Sequence, residues 1–314
     1  MKELQLTERL MMIRPANFGF NTDTASTNAF QSHEIPSGQL PVAQIARSEF
    51  DRLVELLRHE GVEVLVFEDT ADPVKPDAVF PNNWITTHAD GSLITYPMHA
   101  PNRRAERRED ILQDLEARFE VTQRYSFDSF ETQGLILEGT GSMILDRVNH
   151  IVYACLSPRT GIELLDKFCL LKQYTKVIFH ARDPEGTPVY HTNVIMALGM
   201  DVAVVCLDCI PDEGEKILLT ETLARTSKTI LEIRWDQVCR FAGNMLQVRN
   251  KEGQALWVMS DAANKSLTGT QRNLLSLHSK IISSPIPTIE QYGGGSVRCM
   301  LAEVFLRKRV LPRS

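Results

Sequence analysis

Cys299 is the residue in this chain best placed for nucleophilic chemistry. It follows Gly293-Gly294-Gly295-Ser296-Val297-Arg298 and precedes a regular apolar run, Met300 to Phe305. Three consecutive glycines cost backbone entropy and are kept where a chain turns sharply or approaches a ligand closely. A thiol at the end of such a loop has access, and Arg298 beside it favours the thiolate, the form that attacks carbon. Glycine-rich turns are more often structural, so the loop makes Cys299 a candidate and no more. The other thiols compare poorly. Cys155, Cys206 and Cys209 lie in apolar strand-like runs and Cys169 in a helix, where cysteine behaves as a small hydrophobe. Cys206 and Cys209 form a C-x-x-C, but there is no second pair. Their odd spacing along a strand sends the side chains to opposite faces, so zinc is not expected there.

A reactive thiol needs a group that takes and returns protons, usually histidine. Of the eight histidines, His59 lies on the polar face of a helix and His33, His88 and His99 in polar surroundings; His150, His180 and His278 read as ordinary surface or core residues. His191 stands in Val189-Tyr190-His191-Thr192-Asn193-Val194, where a short segment runs into the helix-like stretch Val194 to Leu198. Such a junction holds an imidazole rigidly, although a first-turn histidine satisfied by water is the commoner outcome. Glu138 lies between Leu135-Ile136-Leu137 and Gly139-Thr140-Gly141-Ser142. Carboxylates are seldom buried without a partner, so Glu138 either marks a strand's exposed end or has a partner to find. Pro76-Asp77-Ala78-Val79-Phe80-Pro81-Asn82-Asn83-Trp84 gathers polar groups around an aromatic run, as a turn or a pocket wall does.

These residues need a scaffold. Ser48 to Gly61 predicts a helix, with Ser48 at the cap, Asp51 at capping-box spacing, and Phe50, Leu53, Val54 and Leu57 as its apolar stripe. Further helices are expected near 103–119, 159–174, 213–226 and 267–280. Strands are expected at 62–67, 78–87, 93–97, 135–137, 142–145, 150–155, 177–180, 202–207, 229–235, 245–249, 255–259 and 297–305. This excess of strands predicts a mixed α/β architecture of repeated strand-strand-helix units, not a doubly wound sheet. No Pro, Gly or Ser-rich linker interrupts the series, which predicts one domain over 1–314.

The 314 residues, 43% hydrophobic and 24% charged, suffice for a large core. A net charge of −6 with dispersed basic residues gives no footprint for nucleic acid. The densest basic run, Arg103, Arg104, Arg107 and Arg108, is interleaved with Glu106, Glu109 and Asp110 and reads as a solvated helix start. Met1 to Thr7 is polar, and no apolar stretch reaches the roughly 18 residues of a membrane span, so neither secretion nor membrane binding is expected. Six cysteines, mostly in apolar settings, suggest reduced thiols and a cytoplasmic protein.

Taken in chain order, the segments resemble one superfamily, the guanidine-modifying or amidinotransferase-like enzymes, which include arginine deiminases, dimethylarginine dimethylaminohydrolases and glycine amidinotransferases. Pro76-Asp77-Ala78-Val79-Phe80 is similar to the dimethylaminohydrolase substrate-loop motif, and Ile94-Thr95-Tyr96-Pro97 with Ala100-Pro101-Asn102-Arg103-Arg104 to the segment after it. Leu137-Glu138-Gly139, Leu156-Ser157-Pro158-Arg159-Thr160, His191 and Arg298-Cys299-Met300 match the remaining motifs, over roughly residues 76 to 305. The citrulline-utilisation hydrolase branch resembles the chain most. The resemblance implies an α/β fold, a five-module αβ propeller (pentein) of pseudo-repeated strand-strand-helix units around a polar channel. It implies Cys299 as nucleophile, His191 as proton shuttle and Glu138 as the carboxylate that grips the substrate nitrogen. Arg103 and Arg159 become clamps for an amino-acid carboxylate, and Asp77, Phe80, Asn82, Asn83 and Asn193 line the substrate site. No metal or cofactor is implied; the partner is a small-molecule amino acid, and a homodimer stays open.

Two departures bear on the substrate. Related enzymes that bind guanidinium have aspartates where this chain has Asn83 and, in deiminases, Asn193. A guanidinium is a permanent cation with five N–H donors, and burying it against neutral amides leaves its charge uncompensated at a cost of several kcal/mol. A ureido group is neutral and offers donors and an acceptor, which amides match on both counts. The expected reaction is attack of the Cys299 thiolate on citrulline, giving ornithine, ammonia and carbon dioxide. Arginine deiminase, dimethylarginine dimethylaminohydrolase and amidinotransferase chemistry are the alternatives within the superfamily, and a non-catalytic amino-acid-binding protein is the alternative outside it.

Overall fold

A computed structural model describes residues 4–25, 27–28, 30–32 and 41–309. Among the described residues the strands form five three-stranded sheets. Each has the same plan: a central strand pairs antiparallel with the strand before it and parallel with the strand that returns after a helical crossover, as a parallel pair requires. In the first sheet β1 (Arg9–Arg14) pairs in parallel with β2 (Glu63–Glu68). The second contains β3 (Ile85–Thr87), β4 (Ser92–Thr95) and β5 (Gln123–Ser126). The third contains β6 (Ile144–Asp146), β7 (Ile151–Cys155) and β8 (Thr175–Phe179). The fourth contains β9 (Met196–Leu198), β10 (Val202–Val205) and β11 (Thr229–Glu232). The fifth contains β12 (Leu246–Arg249), β13 (Ala255–Ser260) and β14 (Lys280–Ser284). The repeat is completed by β15 (Ala302–Glu303), which comes back from the far end of the sequence to pair antiparallel with β1, Leu10 opposite Glu303 and Met11 opposite Ala302.

The crossover helices fold because their apolar stripes have sheets to cover. Helix Val42–His59 buries Phe50, Leu53 and Leu57 against Leu10, Met12 and Val64, and helix Ile162–Lys172 buries Leu164, Leu165 and Phe168 against Val152 and Ala154. Full burial of each such side chain contributes about 1.5–3 kcal/mol. The first helix starts seven residues earlier than its sequence suggests. Pro41, extended at φ −60° and ψ 140°, is its N-cap, Ser48 turns its hydroxyl back to Gln44 O at 3.1 Å, and Asp51 binds Arg14 at 2.6 Å instead of closing a capping box. Gly61 follows the helix end at φ +83°.

Several predicted strands are one-turn segments instead. Within 78–87 only Ile85–Thr87 is a strand, because Pro81 opens a 3-10 turn over Pro81–Asn83. Residues 135–137 contribute one isolated bridge, Leu137 to Thr160. The helix-like stretch at 194 is a turn, Thr192–Ile195, followed by β9, and 297–305 is a turn, Val297–Met300, before β15. Strands β1, β5, β9 and β14 were not expected; Met11 and Met12 lack the branching that marks β1 as a strand. No described helix is long and apolar enough to cross a membrane. His33 and Met1 to Glu3 lie outside the described residues.

Candidate active site

Every sheet's first edge strand is preceded by a short turn, and the five turns touch one another in sequence. Thr140 Oγ1 donates to Asn82 O at 3.3 Å, Thr192 Oγ1 to Ser142 O at 2.5 Å, Asn244 Nδ2 to Asn193 O at 2.9 Å, and Arg298 N to Asn244 O at 3.4 Å. Val297–Met300 packs back onto Pro81–Asn83 and closes the ring. Around it the turns present Asn82 and Asn83, Glu138, His191 and Asn193, Asn244, and Cys299. The spacing is tight: a Cβ on Gly141 would lie 2.8 Å from His191 Nδ1 and overlap the Asn83 amide.

Cys299 is 4% exposed, so the glycine segment does not open it to solvent. Helix Pro287–Gly293 ends at Gly294 in the left-handed region, φ +61°, where a side chain would be strained. Two neutral amides hold the sulfur: Asn244 Nδ2 at 3.2 Å and Asn193 Nδ2 at 3.4 Å donate to Sγ. Arg298 does not serve the thiol as its position in sequence suggests. Its guanidinium donates to Leu301 O at 2.8 Å and pairs with Glu303 at 2.9 Å.

Glu138 is fully buried yet has partners on both oxygens. Oε1 accepts from the His99 backbone N–H at 2.8 Å, and Oε2 faces His191 Nε2 at 2.8 Å and Arg159 Nη1 at 3.8 Å. Burial alone would raise its pKa, but Arg159, His191 and Arg103 together hold the carboxyl well below the usual carboxylate range. Burial pushes the His191 imidazolium down to about 4 in spite of Glu138. The neutral ring therefore donates Nε2–H to an anion that can only accept, which leaves the Nδ1 lone pair as the basic site.

The two arginines differ in availability. Arg103 is gripped by Glu106 at 2.8 and 2.9 Å, reaches Asn83 Oδ1 at 3.0 Å, and lies 3.8 Å from Asp77. It is 3% exposed, so the basic run around it is not a solvated helix start; residues 101–106 form a 3-10 turn, and the helix begins at Glu109. Burial, with Asp77 and Glu138 nearby, pushes the Glu106 carboxyl up to about 7 against the pull of Arg103. Arg159 lies over the Tyr190 ring at 4.9 Å and donates Nη2 to Thr27 Oγ1 at 2.6 Å, while its Nε has no partner. Asp77 accepts from Asn21 at 2.7 Å through one oxygen, and its Oδ1 is unpartnered. Burial raises its pKa against Arg103.

Asn28, Asp77, Phe80, Asn83, Arg103, Arg159, Tyr190, His191, Gly293, Gly295 and Cys299 line one cavity of about 20 Å³, enough for about one water. The cavity wall thus gathers Cys299, His191, Asp77, Phe80, Asn83, Arg103 and Arg159 from the sequence-predicted set, while Glu138 and Asn193 stand behind it, bonded to His191 and Cys299; Phe80 lies against Gly293 and Gly295. Asn82 is buried but is not on the cavity wall, and neither of its amide atoms has a partner. Asn83 Nδ2 and Asn193 Oδ1 are likewise unpartnered. A cavity of about 330 Å³ beyond Thr27 and Phe30 shares Arg159 and Tyr190 with the small one. The sequence reading missed Asn244, although the signal was present: a short polar turn before a strand recurs in each unit, and Gly243-Asn244 before β12 is its fourth appearance.

The Cys206 and Cys209 side chains are not on opposite faces. Leu207–Cys209 is a 3-10 turn, in which residues three apart eclipse, and the two free sulfurs lie 2.9 Å apart. Among the described residues no group of three or more His, Cys, Asp or Glu is arranged to hold a metal.

A family model described as "N,N dimethylarginine dimethylhydrolase, eukaryotic" matches residues 14–306. No curated protein matches the sequence. Among solved structures, the chain is similar to ArgZ, an arginine dihydrolase from the ornithine–ammonia cycle in cyanobacteria, with 17% identity and a TM-score of 0.73. The alignment covers 97% of this chain and 41% of ArgZ. The isolated N-terminal domain of ArgZ, bound covalently to a reaction intermediate, aligns over 95% of this chain and 99% of that one, with 17% identity and a TM-score of 0.71. The dimethylarginine dimethylaminohydrolase of Pseudomonas aeruginosa, a Cys-to-Ser mutant complexed with citrulline, gives 14% identity and a TM-score of 0.63 over 95% of this chain and 99% of that one. These likenesses place the fold, and the family match over nearly the whole sequence places the chain itself: it belongs to the N,N-dimethylarginine dimethylhydrolase family.

Proposed function

We propose that the protein is a C–N hydrolase that acts through a covalent Cys299 intermediate on the ureido group of free citrulline, yielding ornithine, ammonia and carbon dioxide. The observation that carries this reading is the chemistry around the sulfur: Sγ is contacted by the amides of Asn193 and Asn244, and the neighbouring Asn83 Nδ2 and Asn193 Oδ1 are buried without partners. A neutral ureido group supplies both the acceptor and the donors those atoms lack. The amino-acid end has matching groups in the free Nε of Arg159 for its carboxylate and the free Oδ1 of Asp77 for its ammonium. Arg103, held by Glu106, orients Asn83 instead of acting as a clamp.

In this reading the Cys299 thiolate forms the S–C bond as one C–N bond breaks. The thiol proton passes through Nδ1 of the neutral His191 to the departing nitrogen; His191 then takes a proton from the water that hydrolyses the thiocarbamate and returns it to Sγ, and the carbamate released loses carbon dioxide as its C–N bond breaks. Glu138 fixes the ring and stabilises the imidazolium each time it forms. The five units work as one αβ-propeller domain whose ring of turns is the site, with no cofactor. An amino acid does not fit in about 20 Å³. The cavity of about 330 Å³ that shares Arg159 and Tyr190 with it supplies the additional room.

Arginine is the second reading, favoured by the family match and by the anionic Glu138 close to the site. Supplying citrulline, arginine and dimethylarginine separately to the purified protein, with ornithine and ammonia quantified, tests both. Ornithine and one ammonia from citrulline, faster than any product from arginine, is the expected result; a preference for arginine overturns the citrulline assignment.

A further inference from the structure

Asn244 is 1% exposed and commits its whole side chain to the nucleophile's turn. Its Nδ2 donates to Cys299 Sγ at 3.2 Å and to Asn193 O at 2.9 Å, which uses both amide hydrogens. Its Oδ1 accepts from the Cys299 backbone N–H at 3.4 Å. The orientation of the amide is fixed by chemistry, because Asn193 O only accepts and a flipped amide would set two oxygens against each other. Neither basic side chain that the sequence places near the sulfur is bonded to it. Arg298 donates to Leu301 O and Glu303, and His191 turns Nε2 onto Glu138.

We propose that Asn244 is a catalytic residue: its Nδ2–H stabilises negative charge on Cys299 sulfur, both in the attacking thiolate and when the S–C bond of the intermediate breaks and the electron pair returns to Sγ. The bond from Cys299 N–H to Oδ1 fixes the side chain that receives this donation. Hydrogen bonds to a charged atom in a buried site are stronger than neutral ones, and the same donor does less for the neutral thiol, so the interaction favours the reactive form. This inference rests on Cys299 being the nucleophile and extends it, since it names the group that makes the thiol competent without an imidazolium partner.

The test compares wild type with Asn244→Leu, which keeps the branched shape without a donor, and Asn244→Asp, which keeps Oδ1 and replaces the donor with a carboxylate oxygen. Alkylation by neutral iodoacetamide at pH 7 is followed peptide by peptide, with the exposed Cys239 as internal reference. Cys299 should react about tenfold more slowly in Asn244→Leu and slower still in Asn244→Asp, while Cys239 is unchanged. On substrate, kcat should fall about 10- to 100-fold with KM within about threefold. Asn244→Leu introduces no charge and carries the test should Asn244→Asp fail to fold. Cys299 alkylation within about twofold of wild type in a folded variant overturns the role, as does a loss confined to KM. If wild type turns over none of the candidate substrates, the proposed function fails while the alkylation comparison still decides the role of Asn244.

Discussion

The two halves of the site are built on opposite principles. Around Glu138 the frame is built on charge: both carboxylate oxygens have partners, His191 at 2.8 Å, His99 N–H at 2.8 Å and Arg159 at 3.8 Å, and Arg103 is locked to Glu106 at 2.8 Å. Around Cys299 they are neutral amides, and Asn83 Nδ2 and Asn193 Oδ1 are left open. A buried polar atom without a partner costs about 1–3 kcal/mol, and a ligand that satisfies it recovers that cost. In the proposed reading the charged half sets geometry and leaves only Arg159 Nε and Asp77 Oδ1 open for charged groups, while the amide half is where a neutral polar group has reason to dock.

The severest way to break this contrast is to remove the proposed nucleophile. Cys299→Ala or Cys299→Ser should lower kcat by about 10⁴-fold or more with the thermal midpoint little changed; retained turnover at a comparable rate would end the thiol mechanism. Attacking the charged half should cost both rate and stability. Glu138→Gln leaves Arg159 without its carboxylate and His191 without its anionic acceptor, so we expect about 10²-fold in kcat and about 3 kcal/mol in unfolding free energy. An unfolding midpoint in urea equal to wild type would show that the carboxylate does not hold the frame.

The same half predicts a pH dependence. His191 is pushed from 6.5 down to about 4 in the folded state, so between those values the unfolded chain binds a proton that the folded one refuses. Stability from this group is present above pH 6.5 and lost as pH falls towards 4, by about 3 kcal/mol in all. The depressed carboxyl of Glu138 acts in the same sense below pH 4.5. Chemical denaturation of His191→Gln should show a flatter slope than wild type from pH 6.5 to 4; parallel slopes would mean that the imidazole is not held neutral.

The amide half is sharpened by Asn83→Asp. The carboxylate keeps an oxygen for Arg103 and replaces the open Nδ2 with a second acceptor, so relative kcat/KM should move from citrulline towards arginine about tenfold, equivalent to about 1.4 kcal/mol. A shift in the opposite direction would refute the inference from neutral amides to a neutral substrate. Asn193→Asp is a poorer probe of specificity, because it also removes a donor from Sγ and should slow every substrate. The smallest effect is expected away from the site: Cys206→Ser or Cys209→Ser should leave kcat within about twofold of wild type, checked by steady-state rates.

Much of this was legible in the residues. Alternating strand and helix patterns give a repeated strand-strand-helix plan because periods of 2 and 3.6 are local properties of a chain. Cys299, His191 and Glu138 stood out because each interrupts an apolar run beside glycines or polar neighbours. The misreadings share a cause. Pro81-Asn82-Asn83, Thr192–Ile195 and Val297–Met300 are single turns between a connecting segment and a short strand, and a window of four residues carries no period. The basic run at Arg103 reads as surface until Glu106, Asn83 and Asp77 close around it, and Cys206 and Cys209 face each other once a 3-10 turn replaces the strand.

What the sequence determined by itself was the inventory: which side chains offer a thiol, an imidazole, a carboxylate and amides, and the order in which the modules present them. Only the tertiary structure decided their partners. Contacts between Asn244 and Cys299, His191 and Glu138, or Asn83 and Arg103 join residues 20 to 55 positions apart. Local propensity acts within a few residues, whereas these pairings follow from packing the five turns into one ring. The ring is closed by β15 pairing with β1 across nearly the whole chain.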